Sequence, residues 1–463
     1  MNTKYDMPGN YYFGGGGEES FFTPLAVVVL LCAIVLMLAL PRKWLIVPFL
    51  AAGVILPYGI TLVLFGLHFT ALRILVAAGL IRLVTRRDLT IPRLSTIDTV
   101  YFLWAVSNAV AFSILWGTSE AVINRAGFLW TTLGVYLMVR ILIREKSDIV
   151  FAIRVLATLS VIIAVAMEVE HISGHNIFSV LGAPELADIR NGAIRARGPF
   201  GHPIIAGTMG SVMMPIFVGL WWQEKHYRVV SGAGVAASLI MVVTSASATP
   251  LLTCSAGVIA LLMWGKREHL RPFVWLFVAG VVSLHLVMKA PVWFLIARAG
   301  SVLGSSGYHR AMLIDNFIRH FGEWWLVGTQ NNALWGYDMW DVDNAYVAAG
   351  VSGGIVTFVL FVALLIFAFR EIAKSLRQAR RRRQSERLIW ALGSCVFCNA
   401  VGYLGIVYFD QSVVIWCIVL TLVSVSRTLV ATVRNDSMAT NDINTVTSRL
   451  IACDVSRYSS PWS

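Results

Sequence analysis

The hydropathy of this chain alternates between long apolar stretches and short polar ones. Each apolar stretch approaches the roughly 20 residues that an α-helix needs to cross about 30 Å of hydrocarbon. Unpaired backbone groups are costly in lipid, and the chain lacks the alternating segments of about ten residues that build a membrane barrel, so each stretch is predicted to be helical. The predicted segments are residues 24–40, 44–60, 69–84, 99–115, 126–143, 149–167, 204–222, 229–243, 251–264, 273–288, 345–369, 388–407 and 413–430. The fold class predicted is an all-α polytopic membrane protein with 12–13 transmembrane helices.

Composition indicates the same class of protein. Hydrophobic residues make up 57% of the 463 residues, and charged residues only 13%. A water-soluble globular protein needs far more charged surface, so that class is excluded. The N-terminal polar segment, residues 1–23, lacks the basic region of a signal peptide, so the first apolar stretch is predicted to be retained as a span. The membrane domain is predicted over residues 24–430, and residues 431–463 form a polar cytoplasmic tail.

The connections between the apolar stretches differ in their basic residues. The basic runs lie in residues 86–93, 144–146, 225–228, 266–271 and 370–387. They fall on alternate connections, and because short cytoplasmic loops retain Lys and Arg, we assign that side to the cytoplasm. Much of the net charge of +12 lies there, and the loop 370–387 is interpreted as a topology determinant that contacts anionic lipid, not nucleic acid. The opposite, outer side carries two long loops, residues 168–203 and 291–345, which must hold any chemistry.

Three arginines lie close together in the first outer loop. Arg190, Arg195 and Arg197 are on the translocated side, where clustered positive charge is normally disfavoured. A bound anion would compensate this charge, and the planar guanidinium group suits a diphosphate. The alternative is that these side chains snorkel or pair with Glu185 and Asp188 of the same loop. We predict that Arg195 and Arg197 bind an anion, with Arg190 as a further candidate.

A tight turn follows these arginines and leads into the next predicted helix. It runs from Gly198 to Pro203 and contains a second glycine and a second proline. The start of a helix offers free N–H groups to an anion. His202 in this turn is therefore interpreted either as an anion contact or as a residue that caps or packs against the helix.

The second outer loop is polar and aromatic. An apolar face runs through residues 310–322 at helical spacing and predicts an interfacial helix. Its members are Ile314, Phe317, Ile318 and Phe321. Arg310, at the N-terminal end of this face, is predicted either to snorkel or to point into a cavity that lipid headgroups enter. The tryptophans of this loop fit an interfacial aromatic belt first, and platforms for sugar rings second. They are Trp324, Trp325, Trp335 and Trp340.

Two aspartates close the second loop. Asp341-Val-Asp343 matches the D-x-D pattern by which some glycosyltransferases hold a metal on a sugar nucleotide. Those enzymes place the pattern in a soluble nucleotide-binding domain, which this chain lacks, so neither a metal nor another cofactor is expected. A single carboxylate in this place could instead act as a general base toward a hydroxyl group.

These features together resemble a known family, the O-antigen ligase and polymerase superfamily of bacterial envelope glycan enzymes. The resemblance rests on the turn that follows Arg197, on the early Arg310 of a long penultimate outer loop, and on Asp343-Asn344 before a glycine-containing helix. The ligase branch carries a His-Asn pair, nine residues, a glycine, and a small residue or tyrosine three further on. Here Gly354 and Thr357 fill the last two places, but Asp343 replaces the histidine. This departure argues against a standard lipopolysaccharide ligase and favours a polymerase or an exopolysaccharide relative.

The resemblance implies a membrane fold of the GT-C type in the bacterial inner membrane, and metal-independent transfer of a glycan from undecaprenyl diphosphate to an acceptor hydroxyl at the periplasmic face. It implies as partners the lipid-linked oligosaccharide donor, a glycan or lipid acceptor, the bilayer, and other proteins of polysaccharide assembly. Diphosphate binding falls to Arg195, Arg197 and Arg310, and proton abstraction to Asp343 or else His309. Further candidate substrate contacts are Arg190, His202 and Asn344.

A membrane transporter or flippase of envelope precursors is the main alternative from another class of protein. Transporters carry charged residues near mid-membrane, broken helices and internal repeats. Arg73 and Arg140 lie within or near predicted spans and favour this alternative, although the sequence shows no internal repeat. A purely structural protein would have no reason to concentrate arginine on the translocated side.

Overall fold

The computed structural model describes residues 20–57, 59–64, 67–90, 93–302, 307–382, 385–409 and 411–431. The described helices are α1 (Pro24–Ala39), α2 (Ile46–Ile55), α3 (Ala71–Thr85), α4 (Thr96–Trp116), α5 (Ser119–Leu142), α6 (Lys146–Ser173), α7 (Pro203–Gln223), α8 (Arg228–Thr244), α9 (Ala248–Leu262), α10 (Leu270–Val287), α11 (Leu295–Val302), α12 (Gly307–Arg319), α13 (Phe321–Trp324), α14 (Ala345–Arg382), α15 (Glu386–Gly402), α16 (Gln411–Ser424) and α17 (Thr428–Ala431). Two antiparallel hairpins pair β1 (Thr61–Leu64) with β2 (Leu67–Thr70), and β3 (Asp188–Arg190) with β4 (Ala193–Arg195). Most of the predicted polar N-terminal segment, residues 1–19, and nearly all of the predicted tail, residues 432–463, lie outside the described residues.

Helices occupy all the segments that hydropathy predicts, and seven described segments are long and apolar enough to cross a membrane. These are Thr96–Trp116, Ser119–Leu142, Lys146–Ser173, Pro203–Gln223, Lys225–Thr244, Ala248–His269 and Ala345–Arg381. A pair of helices bent by 97°, Pro272–Val287 and Val292–Arg298, makes an eighth if it counts as one span. An all-α, multi-pass membrane architecture is thereby confirmed.

Helix α7 is the centre of the helical bundle. It packs against α8, α9 and α15, and nearly all of its residues are buried. Pro203 occupies its first turn, where the missing N–H is not needed for a helical hydrogen bond. Because α7 begins directly after the first outer loop, this loop is anchored to the most buried of the seven candidate spans.

The chain between α2 and α3 departs from the predicted pair of spans. Helix α2 has 10 residues and is therefore about 15 Å long, half the thickness of the hydrocarbon core. The hairpin β1–β2 follows it where the sequence shows almost no polar residues. Hydropathy cannot detect this hairpin, because its side chains are as apolar as those of the flanking helices.

Helix α14 is broken at Gly354, which has φ 70° and ψ −170°. Residues 325–329 of the second outer loop lie against the break. The Ile355 N–H donates to Trp325 O at 2.8 Å, and the Thr329 N–H donates to Val351 O at 2.9 Å. The loop therefore satisfies backbone groups that a continuous helix would pair internally and that lipid could not.

Two predicted loops are shorter than expected because the flanking helices continue into them. Helix α6 runs to Ser173, so the first outer loop begins about a turn and a half after residue 168. Helix α14 runs to Arg382 and makes most of the predicted basic loop 370–387 helical. Charged residues can end a membrane span while the helix continues. Hydropathy therefore predicted the start of both loops too early along the chain.

Candidate functional site

The second outer loop buries an ion pair between α12 and the start of α14. The Arg310 Nε atom donates to Asp343 Oδ2 at 3.0 Å, and Arg310 Nη2 donates to Gly405 O at 3.3 Å. The side chains of Arg310 and Asp343 are 7% and 15% exposed. Of the two predictions for Arg310, the structure rules out snorkelling, because the guanidinium group is buried and paired.

His309 completes this cluster. Its Nε2 atom lies 3.0 Å from Asp341 O and 3.9 Å from Asp343 Oδ1. Among the described residues, no hydrogen bond reaches Asp343 Oδ1, although this atom is buried. Asp343 therefore presents one oxygen held by Arg310 and a second oxygen that is able to accept a proton.

Burial affects the pKa values of the two aspartates that close the loop. It raises the pKa of Asp343 to about 6, against the opposing effect of the Arg310 and His309 charges, and nearby Asp341 adds to the increase. Burial likewise raises the pKa of Asp341. A carboxyl group with a pKa near 6 is suited to accept a proton near neutral pH.

The helix that carries His309 and Arg310 packs on aromatic side chains. Leu313 and Phe317 of α12 are buried, and Trp324 stacks on Phe317 with ring centroids 3.9 Å apart. Of the predicted apolar face, Phe317 is buried against protein, whereas Ile318 and Phe321 are half exposed. An interfacial helix was expected to contact lipid, but α12 also packs against protein through Leu313 and Phe317.

Two of the four tryptophans that were predicted to form an interfacial belt are buried in protein instead. Trp324 and Trp335 are buried in the cluster beneath α12. The indole N–H of Trp324 donates to Phe317 O at 2.7 Å, and that of Trp335 donates to Glu323 at 2.8 Å. Trp325 is half exposed. A buried indole needs a hydrogen-bond acceptor, and these bonds supply it.

The first outer loop holds Arg195 in the hairpin β3–β4. Arg195 stands directly opposite Asp188 in the strand register, and its Nη1 donates to Asp188 Oδ2 at 2.7 Å. A second bond, 2.8 Å long, joins Nη2 to Ser247 Oγ, and the residue is 4% exposed. Burial lowers the pKa of Arg195, while Asp188 opposes this. Arg195 is therefore paired with an aspartate of its own loop, and its role as an anion contact stays a prediction. Arg190 lies exposed near the tip of the hairpin.

Arg197 is organised through its backbone by Glu170, a residue that sequence reasoning did not select. The carboxylate of Glu170 accepts from the Arg197 N–H at 3.1 Å and from the Gly198 N–H at 2.7 Å. Glu170 is fully buried at the end of α6. The Arg197 side chain is half-buried and donates to Leu186 O at 3.5 Å. A glutamate close to the end of a predicted membrane span, where acidic residues are rare, is the signal that could have identified it.

The turn after Arg197 is fixed by two further amides. Asn176 Nδ2 donates to Gly198 O at 2.8 Å. Gln411 Nε2 donates both to Pro199 O at 2.8 Å and to Leu56 O at 2.9 Å. The turn is thus joined to segments that are far apart in the chain.

His202 and Asn344, both predicted as further substrate contacts, cap helices. His202 Nδ1 accepts from the Ile204 N–H at 3.2 Å at the start of α7. Burial, with a contribution from nearby Arg195, lowers the pKa of His202 to about 4, so its imidazole is neutral. Asn344 Oδ1 accepts from Tyr346 N–H at 3.0 Å, and the residue is buried. Polar side chains that cap a helix are of the same types as those that bind a ligand, so the sequence alone could not separate the two roles.

Replacing Asn344 by alanine is expected to destabilise the protein by about 2 kcal/mol, since it removes a helix cap and a buried hydrogen bond to Leu404 O. Asn344→Ser retains a capping oxygen and is expected to recover about half of the loss. Thermal unfolding in detergent measures both effects. If Asn344→Ala leaves the unfolding temperature unchanged, Asn344 is not a structural cap.

The start of α9 brings the two outer loops together. Ser247, the residue before α9, accepts the hydrogen bond from Arg195. Thr249 packs at Gly405, where an added Cβ would lie 2.7 Å from Thr249 Oγ1 and 3.1 Å from Arg310 Nε. The beginning of α9 therefore lies between Arg195 and Arg310, and the two basic clusters line one region of the molecule. We call this end of the bundle the loop side.

The described residues contain no group of three or more His, Cys, Asp or Glu side chains placed to hold a metal ion. Asp343 faces Arg310, and the backbone oxygen of Asp341 faces His309. No protein-family model matches the sequence, and no curated protein is a significant match to it.

Proposed function

We propose that this protein transfers a glycan from undecaprenyl diphosphate to an acceptor hydroxyl, at the periplasmic face of a bacterial inner membrane. It does so within a GT-C-like fold of 12–13 spans, as a polymerase of O-antigen or exopolysaccharide. The buried cluster of Arg310, Asp343 and His309 carries this proposal. It combines a cation for a diphosphate with a carboxylate of raised pKa in one loop. The basic hairpin of the first loop supplies further positive charge close by.

The proposed reaction is a single displacement. The acceptor oxygen forms a bond to the anomeric carbon while the bond from that carbon to the diphosphate oxygen breaks, which inverts the anomeric centre. Asp343 Oδ1 takes the proton of the hydroxyl, with His309 beside it, and undecaprenyl diphosphate leaves with the bonding electrons. Arg195, Arg197 and Arg310 stabilise the negative charge that grows on the diphosphate. The activated leaving group provides the driving force, so the reaction needs no cofactor.

The lipid-linked glycan that accumulates when cells lose the protein tests this function. Single repeat units on undecaprenyl diphosphate would identify a polymerase. Long chains still attached to that lipid would identify a ligase, which transfers them to lipid A-core. An unchanged glycan profile would contradict both transfer reactions.

The transfer rate is expected to depend on pH through Asp343. The base must be ionised, and its pKa is raised to about 6, so the rate should be half-maximal near pH 6 and fall about tenfold per unit below that. Transfer from a purified lipid-linked donor, followed between pH 4.5 and 8, provides the measurement. A rate that does not change between pH 5 and 7 would remove Asp343 as the base.

Transport is the second candidate function, and the break in α14 is the observation that favours it. Discontinuous spans are typical of transporter substrate sites. Arg140, which otherwise suggests transport, forms a buried ion pair of 3.1 Å with Asp98 and so has a structural role. A transporter would move the lipid-linked glycan across the bilayer without forming a glycosidic bond. Reconstituted vesicles distinguish the two, because only a transferase changes the mass of the glycan.

A further inference from the structure

Arg125 is a cation within a membrane span that lacks an acidic partner. The four arginines buried in the described part of the chain each form an ion pair with an aspartate. They are Arg82, Arg140, Arg195 and Arg310. No carboxylate among the described residues pairs with Arg125, which lies six residues after the start of α5, or about 9 Å along the helix. A charge without an acidic partner in a membrane span is unfavourable unless polar groups or an anion reach it.

Hydrogen bonds and aromatic rings fix the guanidinium group of Arg125, but they do not engage all of its N–H groups. Its Nη1 donates to Asn108 Oδ1 at 3.0 Å, and its Nε donates to Asn124 Oδ1 at 3.1 Å. It lies over the Phe112 ring at 3.7 Å and near the Phe128 ring at 5.2 Å. These bonds leave Nη2 able to donate, and the residue is only half-buried. A ligand with several oxygen acceptors could therefore bind one edge of the group.

Asn108 connects Arg125 to the broken helix. Asn108 Nδ2 donates to Ser352 Oγ at 2.9 Å, two residues before the break at Gly354. Beyond the break, Thr357 Oγ1 lies 2.6 Å from the hydroxyl of Ser107, the neighbour of Asn108. Polar side chains of α4 therefore hold both halves of α14 next to Arg125.

This polar cluster lies near the loop side, next to exposed apolar residues of α5. Gln330 of the second outer loop donates to Leu115 O at the end of α4, so the turn between α4 and α5 lies on that side. Val122 and Ile123, just before Arg125, are half exposed on the surface of a membrane span. A ligand that reaches Arg125 would come from the adjacent leaflet.

We propose that Arg125 binds the phosphate group of a membrane lipid in the leaflet on the loop side. The planar guanidinium group suits a phosphate or diphosphate, and the rings of Phe112 and Phe128 restrain it for this contact. Through Asn108, the bound lipid stabilises the broken form of α14. This inference does not depend on glycan transfer.

Photocrosslinking at Val122 tests the site directly. Val122 lies one helical turn before Arg125, so p-benzoylphenylalanine at this position labels a lipid bound to the arginine. The full chain, purified in a maltoside detergent, is titrated with phosphatidylglycerol, a polyisoprenyl diphosphate or diacylglycerol, and adducts are measured by mass spectrometry. The matched control is Arg154→Gln, which removes another span arginine that lies on a ring, at 4.3 Å from Tyr227.

Saturable labelling by the phosphate lipids is expected, with a half-saturating concentration that rises at least tenfold in Arg125→Gln and is unchanged in Arg154→Gln. Arg125→Lys, which keeps the charge, should lie between. Tighter binding of the diphosphate than of phosphatidylglycerol identifies a lipid-linked intermediate as the ligand, and equal binding identifies bulk lipid. Equal labelling by diacylglycerol, or no change in Arg125→Gln, overturns the proposal. Asp343→Asn should label normally, which separates this site from the transfer reaction.

Discussion

Asp343→Asn is expected to lower glycan transfer by about 10²- to 10⁴-fold and to leave the fold intact. Asparagine keeps an oxygen that accepts the 3.0 Å bond from Arg310, so the loop retains its packing. It cannot accept a proton, and loss of a positioned general base reduces rates by about 10² to 10⁴. Transfer from a purified lipid-linked donor measures the loss.

Asp315→Asn is the matched control, because it neutralises a second buried aspartate of the same loop. Asp315 pairs with Arg319 at 2.7 Å and accepts from the Trp293 indole, away from Arg310. It should retain most of the transfer activity. If Asp343→Asn transfers glycan as fast as the unchanged protein, the proposed mechanism is wrong.

Gly354→Ala is expected to destabilise the protein by about 3 kcal/mol and to reduce transfer with it. The residue has φ 70° and ψ −170°, a conformation that is essentially confined to glycine and costs an L-residue about 1–3 kcal/mol, and overpacking adds about 1–3 kcal/mol. An added Cβ would lie 2.9 Å from Val327 N and closer still to the Leu326 carbonyl, and such backbone atoms cannot move independently. The displaced loop carries α12 with it and so separates Arg310 from Asp343.

Gly280→Ala provides the comparison for this change. Gly280 lies in α10, where an added Cβ meets no atom within 4 Å among the described residues, so the substitution should be neutral or slightly stabilising. Thermal unfolding in detergent compares the two variants. Equal unfolding temperatures would mean that the break in α14 is not fixed by the loop.

The helices of this fold could be predicted from sequence because hydropathy is a local property. The hairpin β1–β2 could not, because its side chains are as apolar as those of the flanking helices. The break at Gly354 could not, because it depends on hydrogen bonds to residues outside the segment. At Gly354 the partners lie in residues 325–329, more than twenty positions earlier. Local composition contains no information about such a partner.

The candidate site likewise contains residues that the sequence indicated and residues that it did not. Charge on the translocated side indicated Arg195, and the end of the predicted apolar helix face indicated Arg310. The structure places them on either side of the start of α9. Their aspartate partners differ in how far they lie along the chain. Asp188 is seven residues from Arg195, whereas Asp343 is 33 residues from Arg310. Glu170 was missed because it binds backbone N–H groups. Every residue except proline carries such a group, so no residue type in the sequence marks the partners of Glu170.

The turn from Ala196 to Pro199 has a consequence for the thermodynamics of binding. Its N–H groups at Ala196, Arg197 and Gly198 and its carbonyls at Gly198 and Pro199 are hydrogen-bonded to Thr244, Glu170, Asn176 and Gln411. The backbone is therefore ordered before any ligand arrives. Ordering a loop on association consumes part of the interaction energy. A ligand of Arg197 would lose little conformational entropy to the backbone here, so its affinity would report the contacts of the side chain itself.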